Sequence, residues 1–378
     1  MRRLCLLAIS LILGLMSPVS LVSANAQQAY IIDIKGTLSP AIADYFSRSL
    51  NKAAEANAAF LLVRLDSAGG LDLSIRDMVE QILSSPVPVV VYVSPANASL
   101  TGAAAYLLYA SHVSAMAPAT RLGVAHQLLD TDKDKAQPAG ESAAIDRKVI
   151  ENAVIEMKGL AEQYGRDEPE ADKIVNEAVM LTAESALENK VIDILAAHQS
   201  ALIRQLDGRK VVLLGEEVTL KSKAVVLNEI QPDRQYKILK LISNPNIVYM
   251  LLVFGLCGLV LVKFRPSMAM VMAALSGLCL LMILYAFLTL PVNYAGLALI
   301  LMGVVLMVSE AFWPILGLLG LGGLAAFVSG SYRFIETGFP GYGMSMEVIA
   351  GMTILTVLVL LISLAMAKPD QAQTAGLK

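Results

Sequence analysis

FLLVRLDSAGGLDLSIRDMVEQILSSPVPVVVYV, residues 60–93, carries the fold in one stretch. The apolar run at 60–66 is a strand, 73–83 a helix, and PVVVYV at 88–93 a second strand with no room for a polar face. Upstream, AYIIDIKG at 29–36 is another apolar run ended by glycine. Ser39 and Pro40 then give a helix cap followed by proline in the first turn. Ile42, Tyr45, Phe46 and Leu50 line one face of the helix that follows. Strand, helix and strand in repeated order imply a parallel sheet covered by helices.

The turns after the strands carry the chemistry. After 60–66 comes DSAGGL, with Gly69 and Gly70 at the carboxyl end of the sheet and just before a helix. Paired glycines leave backbone N–H groups uncovered, and such groups can hold a developing oxyanion. The same spacing also suits a plain tight turn. After 88–93 comes VSPANASLTGAAAYLLYASH, counted from Val93, with Ser99, Thr101 and Gly102 at the start of a helix.

Composition divides the chain. Apolar residues make up 56% and charged ones 16%, below the roughly 25% charged of a soluble domain. Arg2 and Arg3 precede an apolar run, and Ala24, Asn25 and Ala26 give a small-x-small cleavage pattern, so residues 1–26 are expected to be a secretory signal peptide. Residues 27–207 have ordinary mixed composition and form the α/β domain. Residues 208–246 are expected to be a β hairpin and a linker. Residues 247–367 are nearly free of charge and form a membrane domain, with a polar tail at 368–378.

Five spans fit that domain, at about 247–262, 268–290, 295–308, 315–334 and 346–366. Lys263 and Arg265 follow the first span, and the basic-loop bias places them in the cytoplasm and the preceding domain outside. The expected location is therefore the inner (cytoplasmic) membrane, multi-pass, with the N-terminal domain exported. Gly317, Gly320, Gly322 and Gly323 suggest close helix packing, and Glu310 is expected at a membrane interface. No charged series crosses the spans, which disfavours a transporter or channel.

Cys5 falls in the signal peptide and Cys257 and Cys279 in spans, so the exported domain has no thiol for a disulfide or a cysteine metal site. His112, His126 and His198 lack metal-ligand spacing and are read as packing or surface residues. Neither a metal nor a cofactor is expected. The net charge of −3 gives no reason to expect nucleic acid.

In order along the chain, DSAGGL at 66–71, SIRDMV at 74–79, SPVPVVVYVSP at 85–95, AAYLLYASHVSAMAP at 104–118 and RLGVAH at 121–126 resemble the NfeD family. So do KGLAEQYGRD at 158–167 and VMLTAESALENKVIDILA at 179–196. SNPNIVYMLLVFGLCGL at 243–259 and LPVNYAGLALILMG at 290–303 resemble its membrane core. These are membrane-bound ClpP-class proteases related to signal peptide peptidase A. The resemblance implies a ClpP/crotonase-like α/β exported domain followed by an all-α multi-span membrane domain.

It also implies a Ser-Lys dyad. The family's serine falls on Gly102, and its lysine on Lys148, with Lys158 ten residues on. Gly69 and Gly70 correspond to the oxyanion turn. The base is kept and the nucleophile is missing. A lysine is a general base only when neutral, which takes burial to bring its pKa from about 10.4 toward 7 or 8. Thr101, or less readily Ser99, is the residue that a shifted turn would bring into the nucleophile's place; helix capping explains both hydroxyls as well. The family usually ends in a cytoplasmic OB-type barrel, which the tail after residue 367 does not contain. The partners it implies are stomatin-like (SPFH) membrane proteins, peptide segments, the lipid bilayer and further copies of the chain. Two function classes follow. One is a peptide-binding scaffold with impaired or lost peptidase activity. The other is an active serine endopeptidase that uses Lys148 with Thr101 or Ser99.

Overall fold

The computed structural model describes residues 27–123, 141–176, 179–223, 225–264, 269–287, 290, 292–310, 317–335 and 344–375. The expected signal peptide and His126 lie outside them.

The α/β half begins with β1 (Gln28–Lys35), α1 (Pro40–Glu55), β2 (Leu61–Asp66), α2 (Asp72–Leu83) and β3 (Val89–Val93). Next come β4 (Ser99–Thr101), a 3-10 turn (Gly102–Ala104), α3 (Ala105–Ala110), β5 (Val113–Met116) and β6 (Arg121–Gly123). The domain continues with α4 (Glu141–Gln163), α5 (Glu168–Asn176), β7 (Met180–Thr182), α6 (Ala183–Glu188), β8 (Ile194–Leu195) and α7 (Gln199–Leu206). The main sheet has six strands in the order β11-β1-β2-β3-β5-β8, where β11 is Val226–Glu229. Every pairing in it is parallel.

Strand side chains alternate between two cores, as the two-residue period of a strand requires. Ile32, Ile34, Val63, Leu65, Val91 and Val93 face α1–α4. Ile31, Leu62, Val90 and Tyr92 face α7 through Leu202 and Leu206. A smaller sheet, β4-β6-β7, is joined to β2 by the Ser67–Leu100 bridge. It lays the segment before Gly102 across the carboxyl end of the main sheet.

The expected hairpin at 208–228 forms only in part. β9 (Lys210–Leu213) and β10 (Glu216–Thr219) pair antiparallel. Residues 226–229 leave the hairpin and pair in parallel with β1 as the sheet's edge. Side chains hold them there: Arg64 joins Glu229 to Asp33, and Tyr45 OH donates to the Ile230 carbonyl. The residues leading to the membrane are thus part of the sheet rather than a loose linker. Helix α8 (Arg234–Ile242) follows and packs on α1, with Tyr236 5.1 Å from Tyr45 between ring centroids and Arg48 paired to Asp233.

Among the described residues five helices follow: α9 (Pro245–Phe264), α10 (Ala269–Phe287), α11 (Tyr294–Ser309), α12 (Leu318–Arg333) and α13 (Met346–Ala375). Pro245–Val262 and Ala269–Phe287 are long and apolar enough to cross a membrane; Tyr294–Ser309 and Met346–Ile362 are shorter apolar helices. Of the glycines expected to pack closely, only Gly323 does so. A Cβ on Gly320 or Gly322 would meet at most the Glu310 side chain, while Gly317 (φ +82°) shapes the entry to α12. Gly323 is in tight contact with Gly303 and Met307, and Gly296 and Gly330 are packed as closely elsewhere on the α11–α12 seam. Glu310 accepts hydrogen bonds from the Gly317 and Gly320 N–H groups, at 2.9 and 3.2 Å. A carboxylate there satisfies donors at the start of α12 and complements the helix dipole.

Candidate functional site

Two turns meet at the carboxyl end of β2. The first runs from Asp66 to Leu71. Ser67 N–H donates to Ser99 O at 3.1 Å, and Thr101 N–H donates to Ser67 O at 3.0 Å, which fixes the second turn against it. Asp66 Oδ1 accepts from Ser99 N–H at 3.2 Å.

Gly69 and Gly70 are required for different reasons. Gly69 has φ +112°, a backbone that favours glycine, and a Cβ there would lie 3.5 Å from Thr101 O, an ordinary contact. Gly70 has no such angle but no space: a Cβ would lie 2.1 Å from Leu38 O. Leu38 N–H donates to Gly69 O at 2.8 Å and Leu71 N–H to Leu38 O at 2.9 Å, so the turn is stitched to the end of β1. Gly69 N–H is already engaged by Ser67 Oγ at 3.2 Å. Among the described residues hydrogen bonds occupy neither Ala68 N–H nor Gly70 N–H, which leaves both as open donors of the turn.

Gly102 faces this turn. Its φ is +61°, and a Cβ on it would lie 3.3 Å from Ala68 O and 3.7 Å from Gly69 Cα. Any side chain at 102 would therefore project beside the glycine turn from a strained backbone, an arrangement that functional turns use and that glycine relaxes. Thr101 is half-buried and extended (φ −128°, ψ 165°) at the cap position of the 3-10 turn, and its side chain makes no capping hydrogen bond. Ser99 is half-buried in β4.

Lys148 lies on α4 and is exposed. Tyr106 OH donates to Ala153 O at 3.0 Å, while Arg166, just past α4, donates to the carbonyls of Tyr109 and Ser111. α3 and α4 therefore run the same way. Lys148 lies five residues before Ala153, about 7.5 Å back along α4. It is nine residues before the buried Met157, about 180° away around the helix at 100° per residue. Lys158 pairs with Asp172 at 3.0 Å and holds that carboxyl below the ordinary range.

Sequence reasoning missed Ser67, which holds Gly69, and Tyr106, whose hydroxyl sets the level of α4. An Asp-Ser pair at a strand end just before two glycines was the available signal. Tyr106 is held neutral above the ordinary tyrosine range chiefly by burial.

The described histidines are placed as packing and surface residues. His198 is exposed before α7. His112 is buried, accepts from Val89 N–H through Nδ1 at 3.2 Å and meets the Tyr164 ring edge-on. Burial, reinforced by the Arg166 guanidinium, pushes its pKa down from 6.5 to about 4. The unfolded chain then binds a proton that the folded domain refuses, so stability present above pH 6.5 is lost as pH falls toward 4. The shift corresponds to about 3 kcal/mol. Acid titration of the full chain is expected to show this loss in the α/β domain's melting temperature, with His112→Gln flattening the curve in that window.

A six-stranded parallel sheet with helices on both faces, carrying a glycine turn opposite the start of a helix, defines a ClpP-like α/β domain, here followed by a helical membrane domain. The NfeD1b N-terminal domain model matches residues 28–210, and the NfeD integral membrane domain model matches residues 246–366. The chain belongs to the NfeD family, and it is a membrane protein.

It is 29% identical over 361 residues to the membrane-bound protease PH1510 of Pyrococcus horikoshii, covering 95% of this chain and 79% of that protein. It is 29% identical over 321 residues to the membrane protein NfeD1b of Bacillus subtilis, covering 80% and 67%. Among solved structures, the 1510-N membrane-bound stomatin-specific protease resembles it at 28% identity. A lysine-to-alanine variant in complex with a substrate peptide gives a TM-score of 0.51, covering 58% of this chain and 99% of the other. A serine-to-alanine variant gives 0.50, covering 55% and 99%.

Proposed function

We propose that this chain binds peptide segments of a stomatin-like membrane protein and does not cut them. The observation that carries the reading is Gly102: the backbone turn that faces Gly69 is kept, and no side chain stands on it. Nucleophilic catalysis needs a hydroxyl or thiol within reach of a base. Lys148, the residue in the lysine's place, is exposed and turned away from the α4 core, so the base is as poorly set as the nucleophile. The open Gly70 N–H still offers a donor to a peptide carbonyl, which serves binding as well as oxyanion stabilisation.

In this reading the N-terminal 26 residues direct export and the α/β domain faces outward. The five apolar helices hold it in the inner membrane, and copies of the chain self-associate. The partner follows from the printed specificity of the Pyrococcus relative, a stomatin-specific protease solved with a substrate peptide.

The test is a purified full chain in lipid nanodiscs, given peptides from the C-terminal segment of a stomatin-like protein. The expected result is saturable binding with no cleavage. Gly102→Ser is expected to stay silent too, because a serine adds the nucleophile without turning Lys148 inward. Robust cleavage by the unmodified protein, abolished by Lys148→Ala, overturns the reading. One observation favours the enzyme alternative, the Thr101 hydroxyl that caps nothing. Loss of such cleavage in Thr101→Ala would assign the nucleophile to that residue.

A further inference from the structure

Helix α8 joins the two halves and presents a face that neither covers. Its inner side is occupied: Tyr236 packs on Tyr45, and Ile242 is buried in the apolar cluster of the membrane helices. At about 100° per residue, Arg234, Ile238 and Leu241 fall within about 60° of one another on another side, with Lys237 alongside. Ile238 is 59% and Leu241 51% exposed. Arg234, Lys237 and Lys240 are exposed as well, and the helix carries no acid. The acid at its start, Asp233, is engaged by Arg48 and caps the helix through Tyr236 N–H.

The position of this face supplies the rest of the argument. α8 runs through Ser243 and Asn244 into α9 and touches both α9 and α10, so it lies where the apolar bundle begins. Leu71 is buried in the same cluster as Ile242, and Leu73, two residues on, is 75% exposed.

We infer that the outer face of α8 lies in the headgroup layer of the membrane and takes up anionic phospholipid. Large apolar side chains flanked by bases, on a short helix at the start of a membrane bundle, are the composition of an interfacial helix. The bases draw acidic headgroups, and the apolar pair reaches the acyl boundary. Nine residues are too few to fold alone, but docking on α1 preforms the helix, so the ordering cost of a free peptide does not arise.

The chain has a single tryptophan, Trp313, which makes depth measurable. In a Trp313→Phe background of the full chain, Ile238→Trp and Leu241→Trp each report from the face. Leu214→Trp reports from the exposed turn of the β9–β10 hairpin, which packs on the opposite face of the sheet. Nanodiscs contain phosphatidylcholine and phosphatidylglycerol, with one or the other brominated near the glycerol. Both α8 reporters are expected to be quenched and the hairpin reporter not. Brominated phosphatidylglycerol is expected to quench about twofold more than brominated phosphatidylcholine, a preference removed by Arg234→Gln with Lys237→Gln. Quenching no greater than at residue 214 overturns the placement. Equal quenching by both lipids overturns the anionic preference.

Discussion

Replacing Gly70 with alanine is expected to cost about 4 kcal/mol in the α/β domain, a severe loss for one methyl group. The added Cβ would sit 2.1 Å from Leu38 O and 2.6 Å from Leu38 Cα, backbone atoms that cannot rotate away. Relief requires separating the Leu38–Gly70 bridge, which breaks the two hydrogen bonds across it at about 1 kcal/mol each. It also draws Leu71 out of its apolar cluster, worth roughly 2 kcal/mol for a leucine side chain. Gly69→Ala is the informative neighbour. There the space is adequate and the backbone angle of +112° is the obstacle, so the expected cost is smaller, about 1–2 kcal/mol. Urea unfolding of the α/β domain within the full chain, followed by circular dichroism, orders the two. A loss at Gly70 no larger than at Gly69 would show that the bridge yields easily.

The same turn shows what could be read in advance. Apolar runs at 29–36, 60–66 and 88–93 became β1, β2 and β3 within a residue or two, because buried parallel strands need unbroken apolar sequence and glycine or proline to end it. The positions of Gly69, Gly70 and Gly102 were legible through resemblance, but their close approach was not. That contact depends on the Ser67–Leu100 bridge, which joins segments more than thirty residues apart. The parallel place of β11 was not legible for a related reason. It is four residues long and mostly exposed, and it gains its partner only when Gln28 meets Val226 across the length of the domain.

Lys148 illustrates the opposite case, where the sequence held more than was taken from it. Val154, Met157, Leu160 and Ala161 recur at the spacing of one helical face and are buried. Projecting that face back along α4 puts Lys148 opposite Met157, so its exposure follows from helical period alone. Matching a lysine by its distance from a second lysine fixes level along the helix, not direction.

The membrane half yields the other large effect. Gly296 and Gly303 are seven residues apart on α11, as are Gly323 and Gly330 on α12, which puts each pair on one helix face. A Cβ on Gly303 would lie 2.7 Å from Gly323 O and Phe327 N, and one on Gly330 would lie 2.7 Å from Gly296 O and Ile300 N. The four glycines thus let two backbones touch, and in lipid such contact is a main source of helix association. Gly303→Val is expected to part the helices by close to an ångström and to cost about 3 kcal/mol, near the upper end for overpacking. Gly303→Val with Gly330→Val removes the seam at both ends and is expected to leave the pair unassembled. Gly322→Val and Gly351→Val face open space, where a side chain meets nothing within 4 Å, and change little. Detergent-resistant fold and melting temperature, measured across the four variants, test this. The seven-residue spacing is present in the sequence beside the denser cluster at 317–323, and glycine density is a poorer guide to helix contact than glycine period.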